Sequence, residues 1–189
     1  MEPNPSMISE IMIRIIRQLE SGLTSFVLLD TTGEVNGHRF LHVRLEHIKS
    51  ACEYHVVYAD ISRDDDPKRT IIDSLSASHA PRSGQTDNDA VKSAYSLKRS
   101  FGSLIESLGE KPVLFLLENG ALLSQPQNAQ VEAELRTVLD TLQPHVCSIF
   151  TSSNEAETLA LMRNPKAPFY LFGSIIKSRS LDAQKNWTP

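Results

Sequence analysis

The sequence predicts an α/β fold: a three-layer sandwich, with helices on both faces of a mainly parallel, five-stranded sheet. Two observations predict it. Apolar runs of strand length alternate along the chain with segments whose apolar residues recur at helical spacing. The runs are also continuously apolar, as expected of strands buried on both faces, and "SFVLLD" (25–30) and "PVLFLLEN" (112–119) are the plainest. With 189 residues, 40% hydrophobic and 22% charged, the chain has the size and composition of one globular domain.

Met7, Ile8, Ile11, Met12, Ile15, Ile16 and Leu19 form a helical stripe, with Ser6 as N-cap and Gly22 as stop. This amphipathic helix, within 1–22, is expected to pack on the core. The main domain spans 23–175. Its first strand, 25–30, is followed by a helical stretch from about His38 to Glu53, with Phe40, Val43, Leu45 and Ile48 apolar. "HVVYAD" (55–60) is the second strand. "SRDDDP" breaks the chain, and Pro67 opens a helix to about Ser78. "HAPRSGQTDN" (79–88), rich in turn formers, reads as a surface loop. A long helix follows, capped by Asp87 or Asn88, striped from Ala90 to Leu108 and ended by Gly109.

The third strand is 112–119, and "GALLSQPQ" after it reads as a loop. A helix from about Ala129 to Leu142 turns Leu135, Val138, Leu139 and Leu142 inward. "HVCSIFTSS" (145–153) is the fourth strand, and a short helix covers about Glu155 to Arg163. "NPKAPFYLFG" turns into a short fifth strand. "SIIKSRSLDAQKNWTP" reads as weakly structured, with 176–189 a tail outside the domain.

The net charge of −4 and pI near 5.9 argue against a broadly basic nucleic-acid-binding surface. Cys52 and Cys147 are too few and too far apart for a disulfide framework or zinc signature, and read as buried free thiols. No apolar run reaches bilayer length, and the N-terminal segment lacks the basic region of a signal peptide, so a cytoplasmic protein is expected.

In a parallel sheet of this kind, ligands bind beyond the strand C-termini. The informative stretches are therefore 30–39, 60–66, 118–123 and 151–154. The first, "TTGEVNGHRF", has the layout of a phosphate-binding loop. Such a loop needs glycines to turn backbone N–H groups inward, a lysine for the terminal phosphates, and a hydroxyl for Mg²⁺. In the frame Thr32 to Arg39, Thr32 replaces the first glycine, while Gly33 and Gly37 remain. His38 stands in the lysine position and Arg39 in that of the metal-binding hydroxyl. His38 is shorter and mostly neutral at pH 7, and Arg39 binds phosphate but no metal. The third strand ends in Glu118-Asn119, where a phosphate-cleaving site has a metal-holding acid and then a water-polarising acid. An amide cannot act as a base. Thr151, Ser152, Ser153 and Asn154 end the fourth strand as candidates for a phosphate or the attacking water, and equally as helix caps.

These pieces, "SFVLLDTTGEVNGHRF", "PVLFLLENGALL", "AELRTVLDTL" and "VCSIFTSSNEAETLALMRNPKAPFYLFG", resemble in order and spacing the AAA+/STAND-type P-loop ATPases of bacteria, in the branch of short ATP-binding proteins. The last block is the most distinctive and the loop the least faithful. The resemblance covers residues 25–173 and implies a P-loop NTPase-like core, ATP and Mg²⁺ as cofactors, and frequent oligomerisation. It carries nucleotide contact onto Thr32, Gly33, Gly37, His38, Arg39, Glu118, Asn119 and Ser152. It assigns no catalytic residue and no separate metal site, because His38, Arg39 and Asn119 depart from the pattern. A helical lid after the sheet is expected to be missing, which weighs against a ring-forming motor.

The expectation is a degenerate ATPase-like domain with little or no ATP hydrolysis, acting as a regulatory or assembly component on a protein partner or on a copy of itself. The alternative is a nucleotide-binding protein or slow ATPase with an unconventional phosphate loop. A third reading is a subunit that works beside an intact ATPase. His38 and His42 have metal-ligand spacing without an assured third ligand, and Asp64-Asp65-Asp66 lacks the spacing of a calcium loop and reads as a solvated loop and helix cap.

Overall fold

The structure is a computed structural model. It describes residues 17, 25–29, 45–46, 48–50, 53–62, 65–78 and 96–177. The expected N-terminal helix lies outside these apart from Arg17, which is helical and exposed. The loop at 31–39, the His38/His42 pair, Cys52, the 79–88 loop, residues 89–95 and residues 178–189 also lie outside the described residues.

Five strands are described: β1 (Ser25–Leu29), β2 (His55–Asp60), β3 (Val113–Glu118), β4 (Val146–Ser152) and β5 (Ser174–Lys177). The helices with described bounds are α1 (Pro67–Ala77), α2 (Leu97–Leu108), α3 (Ala129–Thr141) and α4 (Glu155–Arg163). Residues 45, 46 and 48–50 are helical as well. The sheet order is β2-β3-β4-β1-β5, and every neighbouring pair is parallel. The C-terminal ends of the strands therefore share one edge.

The continuous apolar runs follow from burial on both faces. In β3, Val113, Phe115 and Leu117 join the core under α1, α2 and α3, among Ile71, Leu75, Phe101, Leu104, Leu135 and Leu139. Leu114 and Leu116 point the other way, into a smaller core with Leu28, Ile48, Cys147 and Ile149. This is the period-2 alternation of a strand, with both sides apolar. Each fully buried Leu or Phe contributes about 1.5–3 kcal/mol by leaving water. Burial of Cys147 raises its thiol pKa, and a hydrogen bond with Tyr54 opposes that shift.

Aromatic rings link the larger core into a column. Phe101 meets Phe115 edge-on at 5.3 Å, and Phe115 meets Phe150 at 6.4 Å. Phe150 in turn meets Phe169 at 5.4 Å and Phe172 at 6.0 Å. The Arg136 guanidinium lies 4.8 Å from the Phe172 ring centre and closes the column.

Local chemistry sets the helix ends. Asp66 caps α1 by accepting from the Arg69 N–H, with Pro67 in the first turn. Gly109, at φ 66°, ends α2 in a left-handed turn that glycine adopts without strain. The first N–H of α2, on Leu97, is satisfied by the Glu134 carboxylate of α3 at 3.0 Å. The same carboxylate pairs with Lys68 of α1 at 2.6 Å, so one side chain ties three helices. Asn154 caps α4 through the Glu157 N–H.

Two segments differ from the sequence reading. The helix expected to run unbroken from Asp87 or Asn88 to Leu108 begins only at Leu97, because Ser96 before it is extended at φ −117° and ψ 121°. "GALLSQPQ" is no open loop: Gly120–Ser124 and Pro126–Asn128 are 3-10 turns. Successive i to i+3 bonds build them, from Leu122 N–H to Asn119 O and from Gln125 N–H to Leu122 O. The short fifth strand expected after "NPKAPFYLFG" is β5, which adds to the sheet beside β1 and takes in the start of the stretch read as a weak tail. Four residues are too few to show a period, and pairing with β1 supplies what propensity does not.

Candidate functional site

The parallel register brings acids and hydroxyls together at one edge. Asp60 ends β2 and Glu118 ends β3, and the two are direct register partners. Glu118 is fully buried. Tyr58, two residues before Asp60 and so on the same face, donates its hydroxyl to Glu118 Oε2. The chain then turns sharply at Asn119, which has φ 61° and ψ 27°. That left-handed conformation is strained for most side chains, and asparagine tolerates it best after glycine.

Asn119 is anchored at both its backbone and its side chain. Its N–H donates to Thr151 Oγ1 at 3.1 Å, and its Nδ2 donates to Asp60 Oδ1 at 3.0 Å. Asp60 Oδ1 also accepts from the Ser62 N–H at 3.0 Å and the Ser62 hydroxyl at 2.7 Å. Gly120 follows because there is no room for more: a Cβ there would lie 2.9 Å from the Phe150 Cβ.

Of the residues that the sequence nominates, the structure brings together Glu118, Asn119 and Thr151. Ser152 lies at the same strand end, but its hydroxyl works locally. It accepts from the Asn154 N–H at 3.1 Å and donates to the Asn154 carbonyl at 3.0 Å, at the start of α4. Thr32, Gly33, Gly37, His38 and Arg39 lie outside the described residues. The roles of Tyr58, Asp60 and Ser62 escape sequence reasoning. The strand-end rule points at 60–66, but only the β2–β3 register reveals which groups Asp60 and Tyr58 meet.

Chemically, the edge is a set of hydrogen bonds among Tyr58, Asp60, Ser62, Glu118, Asn119 and Thr151. Glu118 can only accept hydrogen bonds when ionised, and Tyr58 supplies one. The Asn119 amide donates to a carboxylate and offers no base. Thr151 accepts from the turn that holds Asn119. Among the described residues no group of three or more His, Cys, Asp or Glu is placed to hold a metal ion.

A third buried acid, after Asp60 and Glu118, lies on α3, away from this edge. Glu132 is 6% exposed, and its Oε1 has no hydrogen-bond partner. Burial pushes its carboxyl pKa up, and a backbone hydrogen bond from Phe169 opposes that. One turn on, Arg136 donates to the Pro168 carbonyl at 3.1 Å. Both side chains hold the segment between α4 and β5 against α3.

No protein-family model matches this sequence, and no curated protein matches it. Solved structures do. The Walker-type ATPase PABY2304 of Pyrococcus abyssi is similar at a TM-score of 0.56 and 17% identity, over 95% of this chain and 59% of that one. The ORC2 protein of Aeropyrum pernix, in ADPNP–ADP complexes, is similar at 0.58 and 16% identity, over 89% of this chain and 46% of that one. Drosophila ORC bound to GC-rich DNA and Cdc6 is similar at 0.54 and 13% identity, over 90% of this chain and 28% of that one. The chain thus spans less than two thirds of the length of each. At these identities the likeness concerns the fold alone. Among the described residues no helix is long and apolar enough to cross a membrane. With its all-parallel five-stranded sheet between helices, the chain has the α/β fold of the P-loop NTPases.

Proposed function

We propose that this chain is a degenerate P-loop ATPase-like domain with little or no ATP hydrolysis, and that it works by contact with a protein partner as a regulatory or assembly component. The observation that carries the reading is the anchoring of Asn119. Where a hydrolytic site would place the acid that polarises water, an amide donates to Asp60 and its backbone is fastened to Thr151. The residue lacks the chemistry of a base. His38 and Arg39 in the lysine and metal-hydroxyl positions support the same reading. The action through a partner is supported by a protein of similar fold, Drosophila ORC, which is found with Cdc6.

Glu118 favours a second reading, a nucleotide-binding protein or slow ATPase. It keeps a carboxylate at the end of β3, where one would hold Mg²⁺ through water, although Tyr58 already engages one of its oxygens. ATP would be bound by backbone N–H groups of the loop at 32–39, with Arg39 on a phosphate. Calorimetric titration of the full chain with ATP and Mg²⁺, alongside a phosphate-release assay, separates the two. The degenerate reading expects no turnover and no heat at millimolar nucleotide. Micromolar binding that His38→Ala and Arg39→Ala abolish would overturn it.

A further inference from the structure

The sequence holds two Asn-Gly pairs, Asn36-Gly37 and Asn119-Gly120. The first lies outside the described residues, and the second forms the strand-end turn. The fold calls for both members of that second pair. Position 119 sits at φ 61°, where glycine and asparagine are the least strained residues. Position 120 has no room for a Cβ beside Phe150. The same pair is among the most labile in any protein chain, because a glycine leaves its backbone nitrogen unshielded next to the asparagine side chain.

The reaction is an internal ring closure. Gly120 N, once it has given up its proton to solvent base, bonds to Asn119 Cγ, and the side-chain nitrogen leaves as ammonia. The product is a succinimide, which water then opens. Attack at Cγ leaves aspartate at position 119. Attack at the main-chain carbonyl leaves isoaspartate, with the chain running through the side chain.

The closed turn opposes this geometry. Ring closure needs Gly120 N and Asn119 Cβ on the same side of the Cα–C bond. At ψ 27°, Gly120 N lies instead beside Asn119 N and nearly opposite Cβ. Rotating it into place carries the Asn119 carbonyl away from the Leu122 N–H, which donates to it at 2.9 Å. It also has to move Gly120, which is already packed on Phe150. The amide that must leave is held as well, donating to Asp60 Oδ1 at 3.0 Å, and the Asn119 N–H donates to Thr151 Oγ1 at 3.1 Å.

We propose that Asn119 is a deamidation site guarded by the fold. It stays an amide while the turn is closed, and it converts to aspartate and isoaspartate when the strand edge opens. Either product works against reclosure. Aspartate sets a second carboxylate against Asp60, so a hydrogen bond becomes a repulsion. Isoaspartate adds a main-chain atom to a turn built on i to i+3 bonds. The aspartate form also returns an acid to the place where a hydrolytic site polarises water. Phosphate release by freshly made protein tests the functional reading, and mass spectrometry tests this one.

The full chain is kept at mildly alkaline pH, in native buffer and in guanidinium chloride, and then cleaved. The peptide that carries position 119 is followed by mass spectrometry for the replacement of NH₂ by OH. Asn119 is expected to deamidate in guanidinium, and at least about tenfold more slowly in the native chain, since only the open fraction reacts. Thr151→Val removes the acceptor of the Asn119 N–H. It should hasten the native reaction by at least about threefold and leave the denatured rate unchanged. If that variant does not fold, Asp60→Asn, which gives the side-chain amide a neutral acceptor, is read in its place with the same expectation. An intact Asn119 in guanidinium, equal rates in native and denatured chains, or a native rate that the folded variant leaves unchanged overturns the proposal.

Discussion

Replacing Asn119 separates the two forces that shape the strand-end turn. Asn119→Gly removes the 3.0 Å hydrogen bond to Asp60 and relieves the left-handed backbone at φ 61°. A hydrogen bond to a charged group contributes about 1.5–3 kcal/mol. Half-burial of Asn119 places it at the low end of that range. Glycine returns only a few tenths, because asparagine already tolerates this conformation. The net loss is about 1 kcal/mol. Asn119→Ala loses the same bond and adds about 1–2 kcal/mol for a methyl side chain in the left-handed region. It is expected to cost about 2.5–3.5 kcal/mol. Urea unfolding, compared by midpoint at unchanged slope, measures both. If Asn119→Gly is as stable as the natural chain, the Asp60 bond contributes nothing and the amide is not anchored. If the alanine and glycine variants are equal, the left-handed turn is not intrinsic to the fold. Either outcome removes the main support for a site closed to hydrolysis.

Glu132 gives the chain a pH dependence. Its folded pKa is raised by burial above the ordinary value, so the folded state holds its proton more tightly than the unfolded chain does. Its contribution therefore turns unfavourable as pH rises from the ordinary carboxylate value of 4.5 through the folded one, and the loss is complete above that. Glu132→Gln should be the more stable at neutral pH, with the gap closing below about pH 4.5; urea midpoints that differ equally at every pH would refute this. Gly173→Ala should cost about 2–3 kcal/mol by overpacking, since its Cβ would lie 2.2 Å from the Ser25 carbonyl oxygen at the start of β1. A thermal melt unchanged by that substitution would show that β5 does not pack against β1 as described.

Much of the fold was legible because burial on both faces leaves an unbroken mark. The run 113–118 reads as apolar at nearly every position because one half of it faces α1–α3 and the other half faces the smaller core. Strand order was not legible, since the order β2-β3-β4-β1-β5 depends on which buried surfaces meet. For the same reason the strand-end rule found the right edge but not its contacts. Tyr58 and Asp60 reach Glu118 and Asn119 across about 60 residues of sequence. The turns after Asn119 were missed because their spacing of three, with Pro126 inside, resembles no longer element. The cap on Leu97 was hidden differently, since the acid that supplies it belongs to another helix.

Phe150 lies between two parts of the molecule that have been described separately. Gly120, beside Asn119, is pressed so closely against its Cβ that no side chain fits. Its ring meets Phe169 and Phe172, in the segment between α4 and β5. The strand-end turn and the segment between α4 and β5 thus share one buried side chain. A change in the volume of Phe150 would therefore be felt on both, because a close-packed interior has no room to take it up.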